Sequence, residues 1–245
     1  MTRSPFDALA GQYDAARPTY PGAFWDALDA SAGPLRGATV ADVGAGTGIS
    51  TRGLLARGAY VTAFDLAPNM LRRVLDRPGD GLRGAAVADA HRLPLRDASV
   101  DLVTYAQAFH WVRPAEAVRE ARRVLRPGGA LAVWWNDSDA REQDWWRLQQ
   151  ELLETLNDDY GRDYREHDPA ADLRLAFATV ETSTTPWVRR LDVETYLTFL
   201  ASKSYVAALG PALPAFLDPQ RALLTETFGG GDVREPFVTR LWVAR

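Results

Sequence analysis

The run Val40-Ala41-Asp42-Val43-Gly44-Ala45-Gly46-Thr47-Gly48 limits what this chain can fold into more than any other stretch. A β-prone segment, residues 39–43, ends at three alternate glycines, and a helix-like segment, residues 49–57, follows. Strand, glycine turn and helix in that order set backbone N–H groups at the positive end of a helix, which receives an anionic or polar ligand. Glycines make the turn tight and let a ligand lie against bare backbone. The dinucleotide fingerprint Gly-x-Gly-x-x-Gly needs a glycine where this chain has Ile49; the third glycine comes one residue early, at Gly48. A nicotinamide dehydrogenase is therefore disfavoured, and no hydride-transfer constellation accompanies the loop. The competing reading of the loop is a glycine-rich turn without a ligand.

The rhythm continues downstream. Residues 60–65 read as a second strand, 68–76 as a helix opened by Pro68, 84–88 as a weak third strand and 100–106 as a fourth. Residues 115–125 read as a helix stopped by Pro127-Gly128-Gly129, and 130–135 as a fifth strand. Strands alternating with helices at this spacing imply βαβ units and a parallel sheet. Residues 6–29 read as short helices broken at Pro18 and Pro21. After Asn136 the rhythm changes: an aromatic-rich helix over 141–160, a sixth strand over 180–190, helices over 193–209 and 219–228, and a closing strand over 237–244. The chain thus reads as an α/β sheet core with helical material inserted late.

Composition narrows the partners. The 245 residues suit one large domain, and 47% hydrophobic with 24% charged residues permits a sizeable core. A formal net charge of −4 argues against a basic footprint for nucleic acid or an anionic membrane. With no cysteine there are no disulfides, thiolate nucleophiles or cysteine-ligated metals, and His91, His110 and His167 are too scattered for a metal site. No apolar run approaches the roughly 20 residues of a membrane span. The expectation is a cytoplasmic protein, monomer or homodimer, that binds a small molecule.

Two further acids fall where a nucleoside needs them. Asp65 ends the second strand, about 20 residues past the glycines, where a carboxylate binds ribose hydroxyls; it also reads as a cap for the helix at Pro68. Asp89, in Val87-Ala88-Asp89-Ala90, follows the third strand, where an acid accepts from the adenine amine while Ala90 offers its N–H; the plainer reading is a loop start.

The acid followed by Gly-x-Gly-x-Gly resembles the first motif of class I S-adenosylmethionine-dependent methyltransferases. Ala88-Asp89-Ala90-His91-Arg92-Leu93-Pro94-Leu95, Asp97-Ala98-Ser99-Val100-Asp101-Leu102-Val103 and Arg123-Val124-Leu125-Arg126-Pro127-Gly128-Gly129 are similar to the ubiquinone/menaquinone and trans-aconitate methyltransferase-like group. The resemblance is good over residues 13–136 and loose beyond. It implies a Rossmann-like, mostly parallel seven-stranded sheet with its last strand antiparallel, helices on both faces and a helical substrate lid. Residues 1–30 would cover the cofactor, 31–136 form the cofactor-binding core, 137–235 form a variable acceptor lobe with the sixth strand, and 236–245 form the final strand. It implies S-adenosylmethionine as cofactor and S-adenosylhomocysteine as product. Gly44, Ala45, Gly46, Gly48, Asp65, Leu66, Met70, Asp89, Ala90 and Gln107 are the expected contacts. Tyr13-Asp14-Ala15-Ala16-Arg17-Pro18-Thr19-Tyr20-Pro21 is similar to the segment that covers the cofactor. There Arg17 would pair with the methionyl carboxylate, and Tyr13, expected as both a cofactor contact and a catalytic residue, would lie by the sulfonium, a contact worth about 0.5–2 kcal/mol.

Methyl transfer needs alignment first and a base only when the nucleophile must lose a proton. His110, in Gln107-Ala108-Phe109-His110-Trp111 directly after the fourth strand, is the candidate base; the alternative is a histidine that orients the substrate. Trp111, Trp135, Asn136, Trp146, Ser204 and Tyr205 are candidate acceptor contacts. Asp137 and Asp139 read better as caps of the next helix. Neighbours in a strand face opposite ways, so Trp134-Trp135 and Trp145-Trp146 are not all expected to point inward. The leading expectation is methyl transfer to a planar, aromatic or carboxylic small molecule. The alternatives are a tRNA or protein methyltransferase, or a noncatalytic or repurposed S-adenosylmethionine-binding protein such as a cyclase.

Overall fold

Small and β-branched apolar residues are frequent in the stretches that become the first strands, and alternating polar and apolar residues mark the last two: β1 (Thr39–Val43), β2 (Tyr60–Asp65), β3 (Leu82–Val87), β4 (Val100–Ala106), β5 (Leu125–Ser138), β6 (Val180–Leu191) and β7 (Val233–Ala244). The computed structural model, which describes residues 18–160 and 168–245, joins them in one sheet of order β3-β2-β1-β4-β5-β7-β6. β1 to β5 pair in parallel, and β7 runs antiparallel to both β5 and β6. This is the Rossmann-like sheet with an antiparallel last strand that the resemblance implies.

The core helices α1 (Gly22–Ala32), α2 (Ile49–Ala56), α3 (Pro68–Asp76) and α4 (Pro114–Val124) supply the cover. Alternate residues of the central strands enter different cores. Val40 and Trp134 pack with Phe24, Trp25, Leu28 and Leu54, while Ala41 and Trp135 pack with Tyr105, Phe109 and Val118. For the pair Trp134-Trp135 the expectation that not both would point inward is corrected here, while in the second pair Trp145 is buried and Trp146 only half-buried. Trp134 is 0% and Trp135 7% exposed, because β5 is central and buried on both faces. Tyr20 joins the first cluster, with its ring centroid 5.8 Å from that of Trp134.

The late helices α5 (Asp144–Leu156), α6 (Ala170–Leu173), α7 (Val193–Ala201), α8 (Ser204–Ala207) and α9 (Leu213–Thr227) include most of a lobe with its own core around Trp145, Leu153, Tyr196, Phe199, Phe216 and Leu224. The β6–β7 ladder carries it. β5 stops at the Ser138–Phe237 pair, whereas Val188–Leu191 continue to pair with Val233–Pro236 beyond it. That overhang projects past the carboxyl end of β5 and roots the lobe there, since Leu191 and Val233 enter its core.

Several boundaries move. β5 starts at Leu125, where a register shift against β4 absorbs the Pro127-Gly128-Gly129 turn expected to lie outside any strand. The helix expected over 193–209 breaks after Ala201, where the Ser202 hydroxyl donates to the Phe199 carbonyl. α9 begins at Leu213, with Pro214 in its first turn and Pro219 inside it. Neither Asp137 nor Asp139 stands at the start of the next helix: the residue before α5 is Gln143, and Asp137 is still in β5, 3.6 Å from Arg240. Among the described residues no helix is long and apolar enough to cross a membrane.

Candidate active site

Parallel pairing brings the carboxyl ends of β1 to β5 to one edge, the place where open α/β sheets receive ligands. The glycine loop leaves β1 there. Gly44 and Ala45 donate to the Phe64 carbonyl, which fixes the first half of the turn against β2. Gly44 has φ +69°, and a Cβ on it would lie 2.5 Å from the Ala108 Cβ, so the exit of β4 presses directly on the loop. Gly46 has φ +56°, and a Cβ there would meet nothing within 4 Å. The loop is thus closed on its β4 side and open at Gly46. Gly48, in left-handed conformation, precedes α2 without a side-chain cap, so the first N–H groups of that helix keep their donor capacity.

Beneath the loop lies a carboxylate with a structural role that the sequence did not reveal. Asp42 is fully buried and accepts from Ser50, Thr51 and Thr104 at 2.7, 2.6 and 2.8 Å. Burial pushes its pKa above the ordinary carboxylate value, against the pull of those three hydroxyls. It ties the start of α2 and strand β4 to β1.

Asp65 braces the loop from β2. Its two oxygens accept from the N–H groups of Gly46 and Ala67, each at 2.8 Å. One donor per oxygen leaves further lone pairs, so bracing and ribose binding are compatible. Leu66 projects beside it, 67% exposed, and Met70 is buried with Ala67. Asp89 follows β3 with an exposed side chain, and Gln107, at φ +58°, turns the chain out of β4. An open glycine turn, the Asp65 and Asp89 carboxylates and uncapped helix N–H groups lie at one edge, a set of donors and acceptors that fits a nucleoside with an attached amino acid. Tyr13 and Arg17 lie outside the described residues, as does His167.

The exit of β4 carries the candidate acceptor contacts. Trp135 Nε1 donates to His110 Nδ1 at 3.3 Å, and the His110 and Trp111 ring centroids are 4.7 Å apart. Trp111 is 67% exposed. Asn136 is buried; its Oδ1 accepts from Thr239 at 2.6 Å and its Nδ2 donates to the Thr19 carbonyl at 3.3 Å. Trp146 and Tyr205 pack against the lobe's own core, and Ser204 is exposed at the start of α8. His110, Trp111, Trp135 and Asn136 therefore gather at β4 and β5, while the other three belong to the lobe.

A brace that sequence reasoning missed holds the segment after β3. Arg123 donates to the carbonyls of Leu93 and Leu95 and to Asp97, and Glu120 accepts from the Leu93 N–H and from Arg123. Its signal was present in the Arg123–Gly129 and Asp97 motifs, without a stated role. Among the described residues no group of three or more His, Asp or Glu side chains is placed to hold a metal ion.

This strand order, with a glycine loop and acids at the next two strand ends, defines the class I S-adenosylmethionine-dependent methyltransferases. The chain belongs to this family: residues 41–133 match the methyltransferase domain. It is 38% identical over 209 residues to an uncharacterized methyltransferase of Mycobacterium bovis, covering 82% of this chain and 76% of that protein. Its fold is similar to a solved chain assigned as a type II methyltransferase of Anaeromyxobacter dehalogenans, with a TM-score of 0.75, 27% identity, and 94% and 97% of the two chains covered. At the level of fold it is also similar to a Haemonchus contortus phosphoethanolamine N-methyltransferase solved with phosphomonomethylethanolamine and S-adenosylhomocysteine. That match has a TM-score of 0.55 and 17% identity and covers 98% of this chain and 57% of the other.

Proposed function

We propose that this methyltransferase acts on a small molecule, planar and aromatic or carboxylic, held between the exit of β4 and the lobe rooted on the β6–β7 overhang. Bound at the glycine loop, S-adenosylmethionine supplies an electrophilic methyl group on a sulfonium. The chain's own task is alignment and exclusion of water, which lower the barrier without a proton transfer. Trp111 offers an exposed flat surface at this edge, and a net charge of −4 gives no broad attraction for nucleic acid.

The observation that carries the reading is the bond from Trp135 to His110. A neutral imidazole that accepts at Nδ1 keeps its proton at Nε2. His110 is therefore set to donate from Nε2 to an acceptor oxygen, and a base at Nε2 would require the Trp135 contact to break. Orientation, not proton abstraction, is its role. An acceptor that already carries its charge, such as a carboxylate, suits such a donor.

The test has two parts. Calorimetric titration with S-adenosylmethionine and with NAD should show micromolar binding of the first alone, weakened in Asp65→Ala. S-adenosylhomocysteine release is then measured with aromatic and carboxylic acceptors. His110→Gln, which keeps a donor, should retain most of kcat, and His110→Ala should lose roughly tenfold or more. If Gln is as poor as Ala, by the 10²–10⁴-fold typical of a lost base, the donor role is wrong. No binding of S-adenosylmethionine by folded protein overturns the whole reading.

A further inference from the structure

Asp89 meets the cofactor edge with one of its two oxygens already committed. The His91 backbone N–H donates to Asp89 Oδ1 at 2.9 Å, and the His91 ring engages the same oxygen through Nδ1. Two contacts saturate Oδ1, whereas Oδ2 makes no hydrogen bond within the described residues. The far side of the ring is held as well: the Arg113 N–H donates to His91 Nε2 at 2.9 Å. A ring that accepts at Nε2 carries its proton at Nδ1, so Arg113 fixes the tautomer that His91 turns on Asp89. The charged groups around the ring are Asp89 and the Arg113–Glu116 pair at the start of α4. The ring is 13% exposed against 54% for the Asp89 side chain, so the clamp is sheltered and the open oxygen is not. The His91 backbone N–H, followed by its ring, holds the Asp89 carboxyl below its ordinary value, and Asp89 is acceptor-only at neutral pH.

We propose that His91 is the positioning residue that sets adenine selectivity, by occupying Asp89 Oδ1 and leaving Oδ2 to accept from the adenine amine. This rests on the reading that Asp89 faces adenine. Through Arg113 the same ring ties the adenine subsite to the segment that carries His110 and Trp111, three and two residues upstream. The clamp has a directional consequence that a free aspartate lacks. Two His91 donors facing one side-chain oxygen force an asparagine at this position to turn its carbonyl toward His91 and its NH₂ toward the base. An amide NH₂ against the adenine NH₂ is a donor against a donor.

The experiment is calorimetric binding of S-adenosylhomocysteine and of its purine analogue with hydrogen at C6, which keeps the N1 acceptor and lacks only the amine. Wild type should favour the adenine compound by roughly ten- to hundredfold, the size of a hydrogen bond to a charged group. Asp89→Asn should lose this preference or reverse it. Asp89→Asn with His91→Ala keeps the residue 91 backbone N–H but loses the ring, so the amide is held by one donor instead of two and should regain part of the preference. If wild type shows no preference, the reading of Asp89 itself fails. If wild type discriminates but Asp89→Asn does so too, or the double variant does not recover, the clamp is overturned while Asp89 stays at adenine. A side chain that mattered only for stability would weaken both compounds equally and leave the ratio unchanged. The Asp89→Asn arm decides the matter by itself if the double variant does not fold.

Discussion

Gly44 and Gly46 share left-handed backbone angles but face different surroundings. A side chain on Gly44 collides with Ala108, whereas one on Gly46 enters open space. Left-handed geometry costs a non-glycine residue roughly 1–2 kcal/mol, and Gly44→Ala adds a clash with a neighbour that is itself buried. Gly44→Ala is therefore expected to lower Tm by more than about 4 °C. Gly46→Ala should cost about 2–4 °C, yet abolish most of the Tm rise produced by S-adenosylhomocysteine, because its methyl fills the ligand's place. Thermal melts with and without ligand read both quantities. Equal losses, or a full ligand response in Gly46→Ala, would contradict this division of labour. The spacing of the glycines was plain in the sequence. That one of them faces a strand exit and the other open space depends on β4 lying next to β1.

At the scale of elements, α2 shows propensity and packing in opposition. Gly53 sits inside this helix, where alanine ordinarily gains about 1 kcal/mol. Here a Cβ would lie 1.9 Å from Trp25 Cζ2 on α1. The ring is buried in the core formed by Phe24, Leu28, Leu54 and Trp134 and has no room to retreat. Gly53→Ala is thus expected to destabilise by about 1–3 kcal/mol, the usual size of overpacking. Urea unfolding measures it, and an increase in stability would refute the packing argument. The existence of α2, and its start after Gly48, followed from the glycine loop. The reason for its internal glycine lies in another helix. β5 gives the same lesson: its β-prone residues were legible, but its length and the burial of both Trp134 and Trp135 came from neighbours on two faces.

Across the whole molecule, ionised carboxylates fasten segments distant in sequence. Burial pushes Asp101 up, but the Thr39 N–H and Arg126 outweigh it and leave the group below its ordinary value. Glu120 is likewise raised by burial and lowered further by Arg123 and the Leu93 N–H, and Asp89 is lowered chiefly by the His91 N–H. A carboxyl held low in the folded state binds fewer protons there than in the unfolded chain. Its stabilisation is present above the unfolded value, near 4, and is lost as pH falls through the folded one. Asp42, raised by burial, works in the opposite direction, but Glu116, Asp192 and Glu194 are lowered as well, so it is one group against six. Tm is expected to stay flat from about pH 8 to 5 and to fall steeply below about pH 4; a Tm that rises on acidification would reverse the sign. By itself the sequence determined the alternation of strand and helix, the glycine turn that excludes a dinucleotide fingerprint, and acids at two strand ends. Those are local, set by side-chain period and by turn chemistry within a few residues. Only the tertiary structure decided that Asp42 is buried under three hydroxyls, that Trp135 donates to His110 Nδ1, and that His91 bridges Asp89 to Arg113. Each of these needs partners brought together by strand order, across separations of 62, 25 and 22 residues for Thr104, Trp135 and Arg113, and no local pattern encodes such pairings.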